Sequence, residues 1–218
     1  MVAELVGVAA AGKSSLLRAL GERCPTLRAG VRPSRSRHLA YVLPLVPTFV
    51  GLHRPFRGVL WREMKRIAYL RTLDRMLEGP AVRRHPAVVL DEGPVYMLAR
   101  LRVYGGERIR SAAFERWWQR EMEHWARRVD LVVWLDAPDP ILLGRLRARP
   151  QFHRVERRSD ADAGRFFASY RRAYESVVGG LAGGSGPRVV RARSDRESIE
   201  QLVHRVVTEL RLHRELDR

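Results

Sequence analysis

Gly7 and Gly12 bracket the four small or apolar residues Val8-Ala9-Ala10-Ala11, and Lys13 and Ser14 follow at once. The residues before this loop, Ala3 to Val8, read as a strand, and those after it, Lys13 to Arg23, as a helix. A chain that must leave a strand, turn within six residues and enter a helix has few conformations open to it. The glycines let the backbone turn its amides inward, and the positive end of the helix dipole closes the loop. This is the spacing of a Walker A phosphate cradle. Gly7, Ala10, Ala11, Gly12, Lys13, Ser14 and Ser15 are therefore the candidate phosphate contacts. Lys13 is expected to bridge β- and γ-phosphate oxygens, and the Ser14 hydroxyl to ligate Mg²⁺.

Composition sharpens this reading at one position. The chain carries 41 basic and 24 acidic residues, a formal charge of +17, yet its only lysines are Lys13 and Lys65. Arginine is used almost everywhere else, so much of the excess charge reads as a bias spread along the chain. A lysine kept at position 13 fits a phosphate loop, where a compact ammonium is better suited than a planar guanidinium. The net charge favours anionic partners in general. The single Cys24 excludes an internal disulfide. Met1 to Val8 leads into the loop too soon for a secretory signal, so a cytoplasmic location is expected. The most apolar stretch, Leu39 to Leu52, is short and contains Pro44 and Pro47, so it is not a membrane span.

Along the chain, strands alternate with helices. A second strand is predicted over Leu27 to Val31, then an irregular segment from Arg32 to Pro55, then a helix over about Val59 to Leu77. Ala87 to Asp91 and Leu131 to Asp136 are continuous apolar runs ending in a carboxylate, the pattern of strands buried on both faces. Helices are expected over Ser111 to Arg127, after Pro138, and around Phe166 to Val177 with Gly179-Gly180 closing it. A last strand spans Arg188 to Ala192, and a final helix starts at a capping box of Ser194 and Glu197. The whole reads as one α/β domain, residues 1–218, with a doubly wound parallel sheet.

Three further groups carry chemistry. Asp91-Glu92-Gly93-Pro94 stands at the carboxyl end of a strand, where ligands collect in open α/β sheets. One carboxylate there can hold Mg²⁺, which makes Asp91 the second metal candidate, and another can accept a proton from an attacking hydroxyl. The segment from Arg145 to Arg165 is dense in arginine; Arg145, Arg147, Arg149, Arg154, Arg157 and Arg158 could close over a migrating phosphoryl group. Arg145 and Arg149, one turn apart on a predicted helix, share a face. Arg32, Arg35, Arg37 and His38 follow the second strand, where an acceptor could bind. Trp117, Trp118 and Trp125 at helical spacing read as core rather than a base-stacking platform, and His153 has no assigned role.

Taken together, these residues resemble the thymidylate kinase and deoxynucleoside kinase branch of P-loop kinases, over most of the chain and in order. Gly7 to Ser15 looks like that family's ATP loop, and Asp91 stands where the family has its strand-end acid. Leu135-Asp136-Ala137-Pro138 followed by Arg145-Leu146-Arg147-Ala148-Arg149 is similar to its fourth strand and lid entry. The resemblance implies a P-loop three-layer sandwich with a five-stranded parallel sheet and an arginine-rich lid over about 145–165. It also implies ATP with Mg²⁺, γ-phosphoryl transfer to a small acceptor, Arg145 near the adenine or the phosphates, and a homodimer.

One position departs from the family: Glu92 stands where the family places an arginine that contacts the acceptor or its phosphate. A carboxylate there would repel a phosphate already on the acceptor. The expected reaction is therefore transfer to a hydroxyl of a nucleoside, sugar or antibiotic-like metabolite. Lys13, Asp91, Glu92, Arg145 and Arg149 are the catalytic candidates, and Arg35, Arg37, Asp91, Glu92 and Arg154 the substrate contacts. The competing readings are a nucleoside monophosphate kinase and an ATPase with no small-molecule acceptor. A GTP-dependent switch lacks its guanine and switch motifs, and nucleic acid is not the expected partner.

Overall fold

The computed structural model describes residues 1–31, 61–105, 112–148, 159–183 and 186–216. The elements run β1 (Val2–Val6), α1 (Lys13–Arg23), β2 (Arg28–Ala29), α2 (Trp61–Glu78), α3 (Pro80–Arg83), β3 (Val88–Leu90) and α4 (Pro94–Tyr104). They continue with α5 (Ala112–Ala126), β4 (Leu131–Asp136), α6 (Asp139–Arg147), α7 (Asp160–Leu181), β5 (Arg188–Arg193) and α8 (Ile199–Leu216). Among the described residues the strands form one parallel five-stranded sheet in the order β2-β3-β1-β4-β5. β1 is central: Ala3 pairs with Val89 on one side and Leu131 on the other.

All of β3 and all of β4 up to Leu135 are buried, as uninterrupted apolar strands must be when helices cover both faces. α1 packs against α8, while α7 packs against α4, α5 and α6. The aromatic stripe of α5 lies in the core: Phe114, Trp117, Trp118 and Trp125 are all buried, and Phe114 packs 5.2 Å from Trp117 between ring centroids.

Three local expectations are corrected. β2 is two residues long, Arg28–Ala29, because only these pair with Val88 and Val89. Gly179-Gly180 does not end α7, which runs to Leu181. Burial of Val177, Val178 and Leu181 outweighs the low helix propensity of two glycines, and at Gly180 a Cβ would meet Met122 Cε at 2.7 Å. The capping box of α8 is made by Ser198 and Gln201: Ser198 N donates to Gln201 Oε1 at 2.8 Å and Gln201 N to Ser198 Oγ at 3.2 Å. Ser194 lies upstream of the helix and Glu197 accepts instead from the Arg193 amide at 2.9 Å. α6 ends at Arg147, and Arg149, expected to share a helical face with Arg145, lies outside the described residues.

α4 escapes a periodicity reading because Pro94, Val95, Met97, Leu98, Ala99 and Leu101 are buried on nearly every side of it. Its amino terminus is held by Glu4, a fully buried carboxylate on the central strand. Glu4 Oε2 accepts from Val95 N at 2.9 Å and Oε1 from Tyr96 N at 2.8 Å. Two of the helix's orphan amides are thereby satisfied by a side chain one strand away. Burial pushes the Glu4 carboxyl up to about 8; the amides of Tyr96, Val95 and Gly93 pull it down, and the charge of Asp91 adds to the rise. Gly93 is required by this packing, since a Cβ there would lie 2.5 Å from Glu4 Cδ.

Two outcomes are expected. Gly93→Ala should lower stability in urea unfolding by about 1–3 kcal/mol, the usual cost of overpacking a filled site. A folded-state value above the unfolded one means the native chain holds the Glu4 proton longer. That contribution is complete below pH 4.5 and is lost as pH rises to about 8 and beyond. The urea midpoint of the wild type should therefore fall over this window, and Glu4→Gln should flatten the fall; parallel pH profiles for the two proteins would contradict the assignment.

Candidate functional site

The turn after β1 brings its backbone against β4. Gly7 has φ 148°, and a Cβ there would lie 2.2 Å from the Leu135 carbonyl oxygen, so a larger residue has no room. Gly12 has φ 95° and Ala10, though not glycine, has φ 65°. Left-handed backbone at a residue with a Cβ is strained, and such strain concentrates at functional loops. Inside the turn Lys13 Nζ donates to the carbonyls of Gly7 at 2.6 Å and Val8 at 3.0 Å. The Tyr174 hydroxyl donates to the same Gly7 carbonyl at 3.2 Å. At the start of α1, Gly12 supplies no side-chain cap and the first turn holds no acidic residue. The positive end of its dipole is open to an anion.

A cleft of about 160 Å³ opens beside this loop, lined by Gly7, Val8, Ala9, Lys13 and Ser14, by Asp91 and Glu92, and by Tyr96, Phe166, Tyr170 and Tyr174. The structure therefore brings Lys13, Ser14, Asp91 and Glu92 to one place, although more than seventy positions separate the two halves. Asp91 is buried and Glu92 partly so. Ser15 is exposed on α1, while Ala10 and Ala11 are buried within the loop itself.

Arg145 lies on the far side of Gly12. Its guanidinium donates to Ser194 Oγ at 2.9 Å and to the Ser194 carbonyl at 2.7 Å. Ser194 Cβ is in turn the neighbour that a Cβ on Gly12 would meet, at 3.7 Å. The Ser194 amide donates to the Asp136 carbonyl at 2.9 Å. Arg35, Arg37, Arg149 and Arg154 lie outside the described residues, as do Arg32, His38, Arg157, Arg158, His153 and the 39–52 segment.

Sequence reasoning misses the aromatic wall and the arginine behind it. Tyr170 and Tyr174 stand one turn apart on α7, and burial raises both hydroxyls above the ordinary tyrosine range. Tyr96, raised by burial as well, faces them from α4. Their helical spacing in the sequence is also that of a core stripe, so spacing alone could not single them out. Arg171 grips the end of β4: its Nε donates to Asp136 Oδ2 at 2.7 Å, and its remaining nitrogens reach Asp139 and the Ala137 carbonyl. Glu4 is likewise hidden as a lone acid in an apolar strand. Among the described residues no group of three or more His, Cys, Asp or Glu side chains could hold a metal, and no helix is long and apolar enough to cross a membrane.

Neither a protein-family model nor a curated protein matches the sequence. Solved structures do match in shape. A deoxyadenosine kinase from M. mycoides, solved with products dCMP and a flexible dCDP bound, superposes with a TM-score of 0.58 at 10% identity, over 97% of this chain and 99% of that one. The YorR protein from Bacillus subtilis, in complex with phosphorylated GDP, gives 0.55 at 13% identity, over 99% and 98%. Shikimate kinase from Bacteroides thetaiotaomicron gives 0.53 at 16% identity, over 97% and 98%. Across nearly its whole length, the chain has the fold of P-loop nucleoside and nucleotide kinases.

Proposed function

We propose that this protein is an ATP-dependent kinase that transfers the γ-phosphoryl group to a hydroxyl of a small molecule. One observation carries the reading: the uncapped amino terminus of α1, the Lys13 ammonium and the Asp91-Glu92 pair line a single cleft. Cationic and amide donors on one side suit a polyphosphate, and carboxylates facing them suit the hydroxyl that attacks it. The kinases that share the fold support the same class of reaction at low identity.

In this reading the loop amides and Lys13 hold the β- and γ-phosphates in line with the acceptor. Asp91 or Glu92 takes the hydroxyl proton as the new oxygen–phosphorus bond forms. The bond from the γ-phosphorus to the bridging oxygen breaks, and ADP leaves with that oxygen's electrons. Magnesium, when bound with the nucleotide, would neutralise β- and γ-oxygens. Ser14 and Asp91 would hold it, and a hydroxyl and a carboxylate lining one cleft are suitable hard donors. Arg145, held by Ser194 beside Gly12, belongs to the nucleotide side of the site. Arg149 and Arg154 complete the proposed lid, Arg35 and Arg37 the proposed acceptor side. A homodimer and a cytoplasmic location are part of the same reading.

Lys13→Ala should lower ATP-dependent phosphoryl transfer by about 100-fold or more, as loss of a donor to a transferring phosphate does. Asp91→Asn should lower turnover by about 10²–10⁴-fold if it is the base, and Glu92→Gln will then spare turnover. The assay is ADP release with Mg²⁺ over a panel of nucleosides, sugars and aminoglycoside-like compounds. Hydrolysis of ATP at the same rate with and without every acceptor would turn the assignment to an ATPase.

A further inference from the structure

Beyond the cleft, α2 and α4 place two arginines over one ring. Arg66 Cζ lies 5.4 Å and Arg100 Cζ 5.9 Å from the centroid of Tyr104, and Arg100 Cζ is also 5.3 Å from that of Tyr96. Tyr104 meets Tyr170 edge-on at 6.1 Å, and Tyr170 is a wall of the cleft that holds Lys13, Asp91 and Glu92. The arginine pair therefore sits one aromatic ring away from the proposed site of transfer.

Arg66 forms an ion pair with Glu63 and Arg100 a hydrogen bond with Tyr96, yet one nitrogen on each guanidinium lacks a hydrogen bond. Arg66 Nη1 and Arg100 Nε are buried with no hydrogen-bond partner. Arg100 donates from Nη1 to the Tyr96 hydroxyl at 3.3 Å, a neutral acceptor. The carboxylate beside Arg66 is Glu63, whose Oε1 stands 3.5 Å from Nη1 without forming a hydrogen bond, and whose own Oε2 is also unpartnered. Burial and then the positive charge of Arg100 lower the Arg66 pKa from its ordinary value, against the pull of Glu63, whereas Arg100 is raised against its own burial by Tyr96, Tyr170, Tyr104 and Glu92. A desolvated guanidinium donor without an acceptor is costly even where a carboxylate stands nearby, and forked guanidinium donors match carboxylate and phosphate oxygens.

We infer that Arg66 and Arg100 form an anion subsite for the acceptor, which carries a carboxylate or phosphate at the end remote from its reacting hydroxyl. This rests on the kinase reading and narrows it to acidic acceptors with a flat or apolar body lying along Tyr96 and Tyr170. It also agrees with Glu92, which disfavours a negative group near the hydroxyl but not one a ring's length away.

The test is calorimetric titration of the full chain with benzoate, phenyl phosphate and the neutral benzamide, with MgADP present at saturation to occupy the phosphate loop. One of the two anions should bind about tenfold tighter than benzamide, as a charge-assisted pair does. The stronger of them identifies the acceptor's group as carboxylate or phosphate. Arg66→Gln and Arg100→Gln should each remove the preference, while the exposed Arg116→Gln on α5 should leave it intact. Arg100→Lys, which restores charge without the fork, should recover part of it. Equal uptake of anion and amide, no measurable uptake of either anion, or an anion preference unchanged in both glutamine variants overturns the inference. MgADP binding, measured first in the same cell, reports separately: its absence removes the kinase reading, while the arginine variants still judge the subsite.

Discussion

The carbonyl oxygen of Gly7 is the point on which the rest of the site turns. It accepts from the Lys13 ammonium and from the Tyr174 hydroxyl, while the Gly7 α-carbon presses against the Leu135 carbonyl with no space for a side chain. One atom thus joins the loop after β1, the end of β4 and the helix α7. Lys13 is drawn back over the loop, its ammonium held by the Gly7 and Val8 carbonyls. In the proposed kinase, exchanging these neutral acceptors for anionic phosphate oxygens would be favourable, because the ammonium then faces an opposite charge.

α7 has the largest share in arranging the cleft. Tyr170 and Tyr174 wall it, Tyr174 holds the loop after β1, and Arg171 ties Asp136 and Asp139 at the end of β4. Since the Asp136 carbonyl also receives the Ser194 amide, and Ser194 holds Arg145, the helix is linked to the other rim of the loop through backbone and side-chain bonds. Glu4 does for α4 what Arg171 does for β4. It is an ionisable group placed where an apolar residue would pack more easily, and it satisfies helix amides that would otherwise be buried without partners.

The same economy is absent at Arg66 and Arg100. Several other described arginines are well matched: Arg191 pairs with both oxygens of Glu175 at 2.7 Å, Arg128 reaches Asp74 at 2.8 Å, and Arg102 reaches Glu115 at 3.0 Å. Against that background, buried guanidinium nitrogens without acceptors set the pair beside Tyr104 apart.

The sequence alone determined the tight turn between β1 and α1, because Gly7 and Gly12 act through local backbone geometry and lie within a few residues of each other. It also determined the buried strands β3 and β4, whose unbroken apolar runs can be satisfied only with both faces covered. Asp91 and Glu92 were legible for the same reason, as polar residues at the end of such a run. Only the tertiary structure decided the roles of Glu4, Tyr170, Tyr174, Arg171 and the Arg66–Arg100 pair, and moved the α8 cap from Ser194 to Ser198. The Ser198–Gln201 cap is local, but each of the others depends on a partner tens of residues away, and side-chain periodicity cannot distinguish a residue facing the core from one facing a cleft that the same helices enclose.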